Sequence, residues 1–359
     1  MNMEYLQLKD VCNINMGQSP DSSSYNEAGE GLPFFQGNAD FGERYPITRV
    51  WSSAPIKKAK ENDILISVRA PIGALNYAKE LCCIGRGLAA LTPNEDIVSS
   101  EFIFWMLKGK NTELNSKGTG STFKAISKKV LEEIKVPNID LNTQKMCSGN
   151  LEKIYKIIQL RKQQLQQLDE LVKARFVELM NNNPSCNLLS DFIVSYKAER
   201  CGDRDLPILS ITKDNGIILQ NEKFKKRIAS ADASTYKVVP RGKLVQGIHI
   251  DERNFAIQNI VDEGIVSPAY KIWTVDTTKA VPEVLAFALR TDRTIAYISS
   301  KFTGSIKRRE SISISDFMAT PIDLPNMNIQ KQFADFVKQI DKSKFVKIYQ
   351  SKENYYGSI

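Results

Sequence analysis

This sequence of 359 residues contains a single histidine, and it lacks the common signatures of an enzyme active site. One histidine, His249, excludes a His-rich metal site and leaves at most one Ser-His or Cys-His nucleophile system. The phosphate-binding pattern GxxxxGK[ST] of a motor ATPase is missing. Also missing are the (D/N)PP(Y/F) tetrapeptide of amino-methyltransferases, a Gly-rich cofactor loop and an acidic pair with a nearby lysine. We therefore expect no catalysis, no metal and no cofactor in this chain.

Cysteine is scarce, and none of the six cysteines forms a CxxC pair. Two are adjacent, an arrangement that suits neither a simple disulfide nor a zinc site. We interpret them as reduced thiols of a cytoplasmic protein. They are Cys12, Cys82, Cys83, Cys147, Cys186 and Cys201. The segment MNMEYLQLKD has no apolar core of signal-peptide length, and no stretch approaches membrane-spanning length, which agrees with that location.

The charge balance favours cations, with a net charge of +8 and a sequence pI near 9.0. Lys and Arg displace the counterions condensed on nucleic acid, so a polyanionic partner is favoured, although a basic soluble protein would look the same. Hydrophobic residues make up 42%, which is enough to build sizeable cores. The length predicts two or three domains.

The chain contains an internal repeat with a period of roughly 180 residues. In both halves a Thr-Gly-Ser turn leads through a basic segment into a short helix, then into an apolar-Pro-Asn step and a Gln-Lys helix start. The matched segments are Thr119–Ser121 with Thr303–Ser305, Val136–Asn138 with Leu324–Asn326, and Gln144–Lys145 with Gln330–Lys331. A helix precedes each turn, as SEFIFWMLKG in the first half and PEVLAFALRT in the second. This pattern indicates a duplicated domain followed by a duplicated helix.

The predicted fold is mixed α/β (α+β): two copies of one domain, separated by long coiled-coil-like helices, with pseudo-two-fold internal duplication. DILISV is a predicted strand, SEFIFWML a predicted amphipathic helix, and the Gly- and Ser-rich run 17–31 a predicted loop. The Asn-Asn-Asn-Pro cluster at 181–184 marks a helix end. The predicted boundaries are a first domain over 1–142, a central helix over 143–181, a second domain over 182–327 and a C-terminal helix with tail over 328–359.

The central segment carries apolar residues at alternating spacings of three and four, which is typical of a coiled-coil stripe. Arg161 and Arg175 are predicted to occupy the two seam positions that interrupt it. About 40 helical residues would extend roughly 60 Å, the length of a spacer. The alternative is a helix packed on the core of its own domain. The stripe residues, which we expect to dock partners and the second helix, are Leu151, Ile154, Ile158, Leu165, Leu168, Val172 and Leu179, with Phe333, Val337 and Ile340 in the second helix.

Several segments of this chain resemble the specificity subunit of type I restriction-modification systems. DILISVRAPIGAL resembles a strand-turn segment of that family's target-recognition domains, and EGIVSPAYKIW resembles its Gly-x-Val-Ser-Pro-x-Tyr signature. The Thr-Gly-Ser, short-helix, apolar-Pro, Gln-Lys series resembles the junction between domain and spacer, and it occurs twice. In order and duplication the resemblance covers essentially the whole chain.

The resemblance implies a non-catalytic DNA-binding protein in which each target-recognition domain reads one half of a bipartite, asymmetric sequence. It implies that the two helices pack antiparallel and set the gap between the half-sites. The implied partners are double-stranded DNA, two modification (methyltransferase) subunits that methylate adenine at N6, and restriction (motor nuclease) subunits. S-adenosylmethionine, ATP and Mg would then be bound by those subunits and not by this chain.

Candidate DNA contacts are the clustered cations and the hydroxyls of the Thr-Gly-Ser turns, because phosphates and base edges accept hydrogen bonds from such groups. Each could also be a solvated surface charge, and Arg69 could pair with a carboxylate. In the first domain the candidates are Arg44, Lys57, Lys58, Arg69, Arg86, Lys117, Ser121, Thr122, Lys124, Lys128 and Lys129. In the second they are Lys225, Lys226, Arg227, Ser305, Lys307, Arg308 and Arg309.

Three other functions remain compatible with the sequence. The chain could be an assembly protein whose coiled coil binds other proteins without reading DNA. It could be the specificity subunit of a type IIB-like enzyme, which neighbouring genes would reveal. A nuclease or methyltransferase with degenerate motifs is the third, although such an enzyme would need a cofactor signature and a longer chain.

Overall fold

The structure is a computed structural model in which the chain forms two compact units, Met1–Arg161 and Lys162–Ile359. It describes residues 4–120, 124–181, 187–212, 216–220, 233–248, 250, 252–302 and 312–356, with side chains for these residues except 180, 181 and 345–356. The boundary between the units falls within one long helix, and each unit is described by itself.

The first unit combines short strands with a few helices. Its strands are β1 (Tyr5–Gln7), β2 (Cys12–Met16), β3 (Tyr25–Asn26), β4 (Leu32–Phe35), β5 (Trp51–Ser52), β6 (Lys58–Ala59), β7 (Ile64–Ser67), β8 (Leu75–Tyr77), β9 (Cys82–Ile84), β10 (Leu88–Pro93) and β11 (Lys135–Pro137). Its helices are α1 (Leu8–Val11), α2 (Ser100–Gly109), α3 (Asn111–Ser116), α4 (Lys128–Glu132) and the first part of α5 (Leu141–Asn181).

Two sheets form the body of this unit, one in the order β2-β10-β7-β8 and one in the order β3-β5-β4-β9-β6. Strand β7 is buried on both faces, because Ile64 and Ile66 face a core shared with α2 while Leu65 faces the second sheet. Burial on both faces explains why DILISV reads as a continuous apolar run and not as an alternating pattern.

The second unit is built in the same mixed manner. Its strands are β12 (Asn187–Leu188), β13 (Ile193–Ser195), β14 (Leu209–Thr212), β15 (Gly216–Leu219), β16 (Lys237–Pro240), β17 (Leu244–Gln246), β18 (Phe255–Ile257), β19 (Glu263–Val266), β20 (Lys271–Val275) and β21 (Pro321–Ile322). Its helices are the remainder of α5, α6 (Pro282–Leu289), α7 (Asp292–Ser300), α8 (Ile314–Met318) and α9 (Met327–Tyr356). Trp273 and Phe317 pack in its main core in a tilted arrangement, with ring centroids 5.4 Å apart.

The two units share a strand order. The main sheet runs β2-β10-β7-β8 in the first unit and β13-β20-β17-β18 in the second, and a short pair (β1 with β11, β12 with β21) accompanies each. The turn before the inner strand also matches, since Asn62 (φ 68°) and Gly242 (φ 82°) both adopt the left-handed conformation. Their N–H groups donate to Ala78 (2.9 Å) and Gln258 (2.7 Å), which occupy matching places in the two sheets.

We predict that substitutions at these two turns will have different effects on stability. Gly242→Ala will lower the free energy of unfolding by about 1 kcal/mol, because a Cβ disfavours positive φ. No other atom lies within 4 Å of that added Cβ, so the cost is conformational and not steric. Asn62→Gly will leave stability nearly unchanged. Chemical denaturation of the two variants measures both effects, and an equal loss in both would contradict the prediction.

Several local predictions from the sequence are confirmed. DILISV forms β7 and SEFIFWML forms most of α2. The predicted loop over 17–31 was only partly right, because it contains a 3-10 turn at Ser22–Ser24 and strand β3. Among the described residues, none of the helices has an apolar stretch long enough to cross a lipid bilayer.

The apolar stripe of α5 changes its exposure along the helix. Leu151, Ile154 and Ile158 are 43%, 47% and 46% exposed, whereas Val172 and Phe176 are buried in the core of the second unit. The prediction that Arg175 occupies a seam position was wrong, because Phe176 takes that place. Arg175 instead pairs with Glu178 at 2.6 Å.

Candidate nucleic-acid interface

Backbone hydrogen bonds join several distant segments of the first unit at one end of its sheets. Gln18 N–H donates to Ile84 O (3.0 Å), Gly85 N–H to Phe35 O (2.8 Å) and Val68 N–H to Gly87 O (2.9 Å). We call this end the loop edge. It comprises residues 17–19, 36–38, 57–58, 67–70, 85–87 and 124–125.

Polar side chains suited to base recognition protrude from the loop edge. Gln18, Gln36 and Arg86 are exposed. Ser19 Oγ donates to Gln36 Oε1 (3.0 Å) and accepts from the Arg86 N–H (3.2 Å), so the three segments are held together by side chains as well. Arg and Gln are the side chains that make bidentate hydrogen bonds to guanine and adenine in the major groove.

The segments approach so closely that one position requires glycine. A Cβ on Gly17 would lie 2.2 Å from Gly85 O and 2.8 Å from Leu88 O, both backbone atoms that cannot move aside cheaply. The contact brings the residues after β2 against the turn between β9 and β10. The segments of the loop edge are therefore held together by close backbone contacts of the fold.

Further cations predicted from the sequence lie at the same edge. Arg69 pairs with Ala125 in an isolated β-bridge, and Ala70 N–H donates to Lys124 O (3.0 Å). Lys57 O accepts from the Ile84 N–H (2.9 Å), and Lys58 follows it on β6. The structure thus brings together five of the predicted contacts: Lys57, Lys58, Arg69, Arg86 and Lys124.

These five cations are exposed and have no carboxylate within ion-pairing distance among the residues the structure describes. The alternative that Arg69 pairs with a carboxylate is therefore not seen within that part of the chain. A cluster of unpaired cations attracts a polyanion without first breaking internal ion pairs.

The other predicted cations of the first unit have internal partners. Lys117 lies 2.7 Å from Glu113, and hydrogen bonds from Lys117 and Lys110 lower the pKa of that carboxyl to about 2. Lys128 and Lys129 lie 3.6 and 3.9 Å from carboxylates one helical turn further along α4. Exposed pairs of this kind are weak, so a role of these lysines at DNA stays a prediction.

Arg44 occupies an internal site that we call the Arg44 cage. Its guanidinium pairs with Glu152 on α5 and lies over the rings of Phe104 (4.8 Å), Trp105 (5.2 Å) and Tyr155 (5.2 Å). Its Nη1 atom is buried without a hydrogen-bond acceptor among the described residues. The enclosed guanidinium therefore connects α5 to the rest of the first unit. This environment does not favour the DNA contact predicted for Arg44.

We predict that Arg44→Met will mainly lower the free energy of unfolding and will have a smaller effect on the affinity for DNA. Removing a partly buried ion pair and its cation–π contacts should lower the free energy of unfolding by about 2 kcal/mol. Arg49→Met is the matched control, since Arg49 is exposed in the same loop and donates only to Ala39 O (2.7 Å). Thermal unfolding and salt-dependent DNA binding measure the two effects. A reduced salt dependence of binding in the Arg44 variant alone would instead assign this arginine to DNA.

The matching end of the second unit carries two half-buried lysines that the sequence did not single out. Lys237 lies opposite Val266 in the strand register, at the end of β19, and its Nζ donates to Tyr270 O (2.7 Å). Lys271 lies opposite Gln246 in the register of β20 with β17. Desolvation lowers the pKa of both lysines, and the charge of Lys237 lowers that of Lys271 further. Neither forms an ion pair with a described residue, so an anion would relieve their repulsion.

The remaining predicted contacts lie outside the described residues. They are Ser121 and Thr122 in the first turn, Lys225, Lys226 and Arg227, and Ser305, Lys307, Arg308 and Arg309 in the second turn. His249 also lies outside them.

Sequence reasoning missed Gln18, Gln36, Lys237 and Lys271. Single exposed glutamines carry no sequence signal, and they become visible only when β4 and β9 pair in parallel and bring residues 36 and 85 together. Lys237 could have been found by aligning Asn62 with Gly242, because Lys57 and Lys237 both stand five residues before these positions.

The predicted stripe residues divide between the two units. In the second unit Val172, Phe333 and partly buried Leu179, Val337 and Ile340 pack in one core. Leu165 and Leu168 are half-buried, and Lys344 on α9 pairs with Asp169 on α5 at 2.6 Å. The helices α5 and α9 therefore contact each other within this unit. In the first unit Leu151, Ile154 and Ile158 remain exposed.

Comparison with known proteins gives a consistent result for the first half of the chain. Residues 1–170 match the family model described as the type I restriction modification DNA specificity domain. The type I restriction enzyme MjaX specificity subunit of Methanocaldococcus jannaschii is 44% identical over 160 residues, which are 45% of this chain and 38% of that relative. The aligned region spans well under half of the relative's length.

Solved structures give similar matches. The crystal structure of the HsdS subunit from Thermoanaerobacter tengcongensis is 44% identical over 44% of this chain and 38% of that one, with a TM-score of 0.40. A type I restriction-modification S subunit from M. genitalium matches 98% of this chain and 92% of its own, with a TM-score of 0.55 and 11% identity. At that identity the second likeness concerns the fold alone.

Proposed function

We propose that this chain is the DNA-recognition subunit of a type I restriction-modification system, because residues 1–170 match the family model of the DNA specificity domain of such systems. The observation that carries the proposal is the loop edge. It places exposed Gln18, Gln36 and Arg86 at one end of the two sheets, among cations that have no ion-pair partner within the part of the chain that the structure describes. Phosphate contacts would position the domain and the amide and guanidinium groups would read bases.

The second unit reads the other half of a split sequence in this proposal. Its main sheet has the strand order of the first, and its matching end carries Lys237 and Lys271. We infer that the units are two copies of one target-recognition domain. The copies differ at this end, where Arg86 stands two residues after β9 in one and Pro268 stands two residues after β19 in the other. Such differences would let the copies read different bases and give an asymmetric site.

The helices α5 and α9 serve as the spacer that sets the gap between the half-sites. A protein that holds two readers a fixed distance apart selects half-sites with a fixed separation along the duplex. The contact of Lys344 with Asp169 and the shared core around Phe176 and Phe333 support antiparallel pairing of the two helices.

Partner subunits supply the chemistry in this proposal. Two modification subunits, each with S-adenosylmethionine, would methylate adenine, and restriction subunits would use ATP and Mg. The exposed apolar residues Leu151, Ile154 and Ile158 offer a surface for such partners. The chain itself binds DNA and remains non-catalytic.

A genome-wide map of adenine methylation, with and without the gene, tests the proposal. Loss of one split motif, two short half-sites around a fixed gap, is the expected result. Co-purification with a methyltransferase is the accompanying measurement. An assembly protein that does not read DNA would co-purify with partners while every methylated motif stayed in place.

A further inference from the structure

Two buried glutamines, one at the start of each long helix, make the same set of hydrogen bonds. Gln144 Oε1 accepts from the Ser99 N–H (2.9 Å), and its Nε2 donates to Ile97 O (3.0 Å) and Ile139 O (2.8 Å). The side chain is 1% exposed. It thus ties the first turn of α5 to the backbone just before α2.

Gln330 repeats this arrangement in the second unit. Its Oε1 accepts from the Val281 N–H (2.8 Å), and its Nε2 donates to Lys279 O (3.2 Å) and Pro325 O (2.8 Å). It too is 1% exposed. The partner positions correspond: the residue before the short helix, the residue two before that, and the residue five before the glutamine itself.

The surroundings of the two glutamines differ, so the match is not a by-product of similar packing. Ser99 caps α2 with its hydroxyl, which accepts from the Phe102 N–H, whereas Val281 has no such group and Pro282 begins α6. One turn beyond the glutamine stands Cys147 in α5 and Phe333 in α9. The amide, its three backbone partners and the lysine that follows the glutamine are common to both.

An amide held by three hydrogen bonds in different directions fixes the helix against translation and rotation. Apolar packing alone would allow the helix to slide, because dispersion contacts are not directional. Breaking the network would leave three backbone groups without these partners, in a network where one bond is buried and two are partly buried, and native structures avoid buried groups without partners.

We propose that Gln144 and Gln330 are matched joints, positioning residues that hold each long helix at a fixed angle to its reading domain and so restrict the gap of the recognised sequence. The inference rests on the proposed function. A small angular change at either joint is multiplied by the length of the helix, whereas the bases read by each domain do not depend on it.

The test compares Gln144→Met and Gln330→Met, which keep side-chain length but cannot form the hydrogen bonds, in the full chain co-expressed with its methyltransferase. Methylation is measured on duplexes carrying the native half-sites at the native gap and at gaps one base pair shorter and longer. The preference for the native gap should fall about tenfold in either variant, while the half-sites stay unchanged.

Three comparisons make the result decisive. Leu91→Ala removes buried volume from the first core without touching either joint, so it should lower methylation equally at all gaps. Gln163→Met changes an exposed glutamine on α5 and should have no effect. Gln144→Glu keeps the Ser99 contact and loses both donated bonds, and it should relax the gap to an intermediate extent.

Uniform loss at all gaps in the joint variants, or an unchanged preference, would overturn the inference, as would loss of all methylation in both Gln144 variants. If the wild-type chain itself directs no split-motif methylation, the proposed function fails. If the wild type directs it and the variants keep strict spacing, only the joints are refuted.

Discussion

A seven-residue insertion in α5 between Gln163 and Gln164 will abolish methylation of the original split sequence and create methylation of one with a longer gap. Seven residues add about 10 Å of helix, which corresponds to about three base pairs of duplex. A heptad keeps the apolar stripe nearly in phase, so contacts on both sides of the insertion survive. The two half-sites should be read as before, because neither the loop edge of the first unit nor the matching end of the second unit is altered.

A variant that alters the same segment without changing its length provides the control for the insertion. Gln163→Ala with Gln167→Ala alters two exposed residues of the same segment and should leave the original gap intact. Methylation mapping of both strains reads out the motif directly. A changed half-site with an unchanged gap would refute the spacer role of α5.

Neutralising the loop edge will weaken DNA binding by at least about 100-fold, since three direct contacts are each worth about 1–3 kcal/mol. The variant combines Arg69→Gln, Arg86→Gln and Lys124→Gln, three exposed cations without ion-pair partners in the described structure. Each phosphate contact contributes about 0.9 to the slope of log K against log salt, so the slope should fall by up to about 2.7.

The opposite end of the same strands provides a control with an equal loss of charge. Lys9, Lys60 and Lys79 are exposed and lie beyond the other ends of β2, β7 and β8. Changing these three to Gln removes three charges from the same unit but should change affinity little. Salt titrations of both variants, with the partner methyltransferase present, distinguish them. Equal weakening would show that net charge matters and the loop edge does not.

The elements that could be predicted from sequence are those that depend on local patterns. Apolar periodicity and the Asn-rich stop at 181–184 identify α5, and a β-branched apolar run identifies β7. The seam near residue 175 was misplaced because a strict heptad predicts Arg175. The helix instead turns at 3.6 residues and brings Phe176 into the core.

Divergence between the halves hid their equivalence from sequence comparison. Strand register aligns Asp63 with Lys243, residues of opposite charge. Both contact a threonine at the matching place in the neighbouring strand: Thr92 donates to Asp63 Oδ1 (2.7 Å), and Thr274 accepts from Lys243 Nζ (2.9 Å). A hydroxyl can donate or accept a hydrogen bond, so the contact between these two positions is kept although Asp63 and Lys243 are different residue types.

The loop edge could not be predicted because it depends on long-range pairing. Gln36 and Arg86 are 50 residues apart and meet only through the parallel contact of β4 with β9. Likewise, no sequence pattern indicates that Arg44 makes internal contacts. Its partners Tyr77, Trp105 and Glu152 are scattered along the chain and converge only in the folded unit.

Every group that hydrogen-bonds to the side chains of Gln144 and Gln330 belongs to the main chain. Ser99, Ile97 and Ile139 contribute only N–H or C=O groups, as do Val281, Lys279 and Pro325. A foreign domain needs only the same backbone path, and not the same side chains, to accept the glutamine. Recombination between genes of this architecture could therefore exchange one reader as a module and generate a new hybrid recognition sequence in a single genetic event.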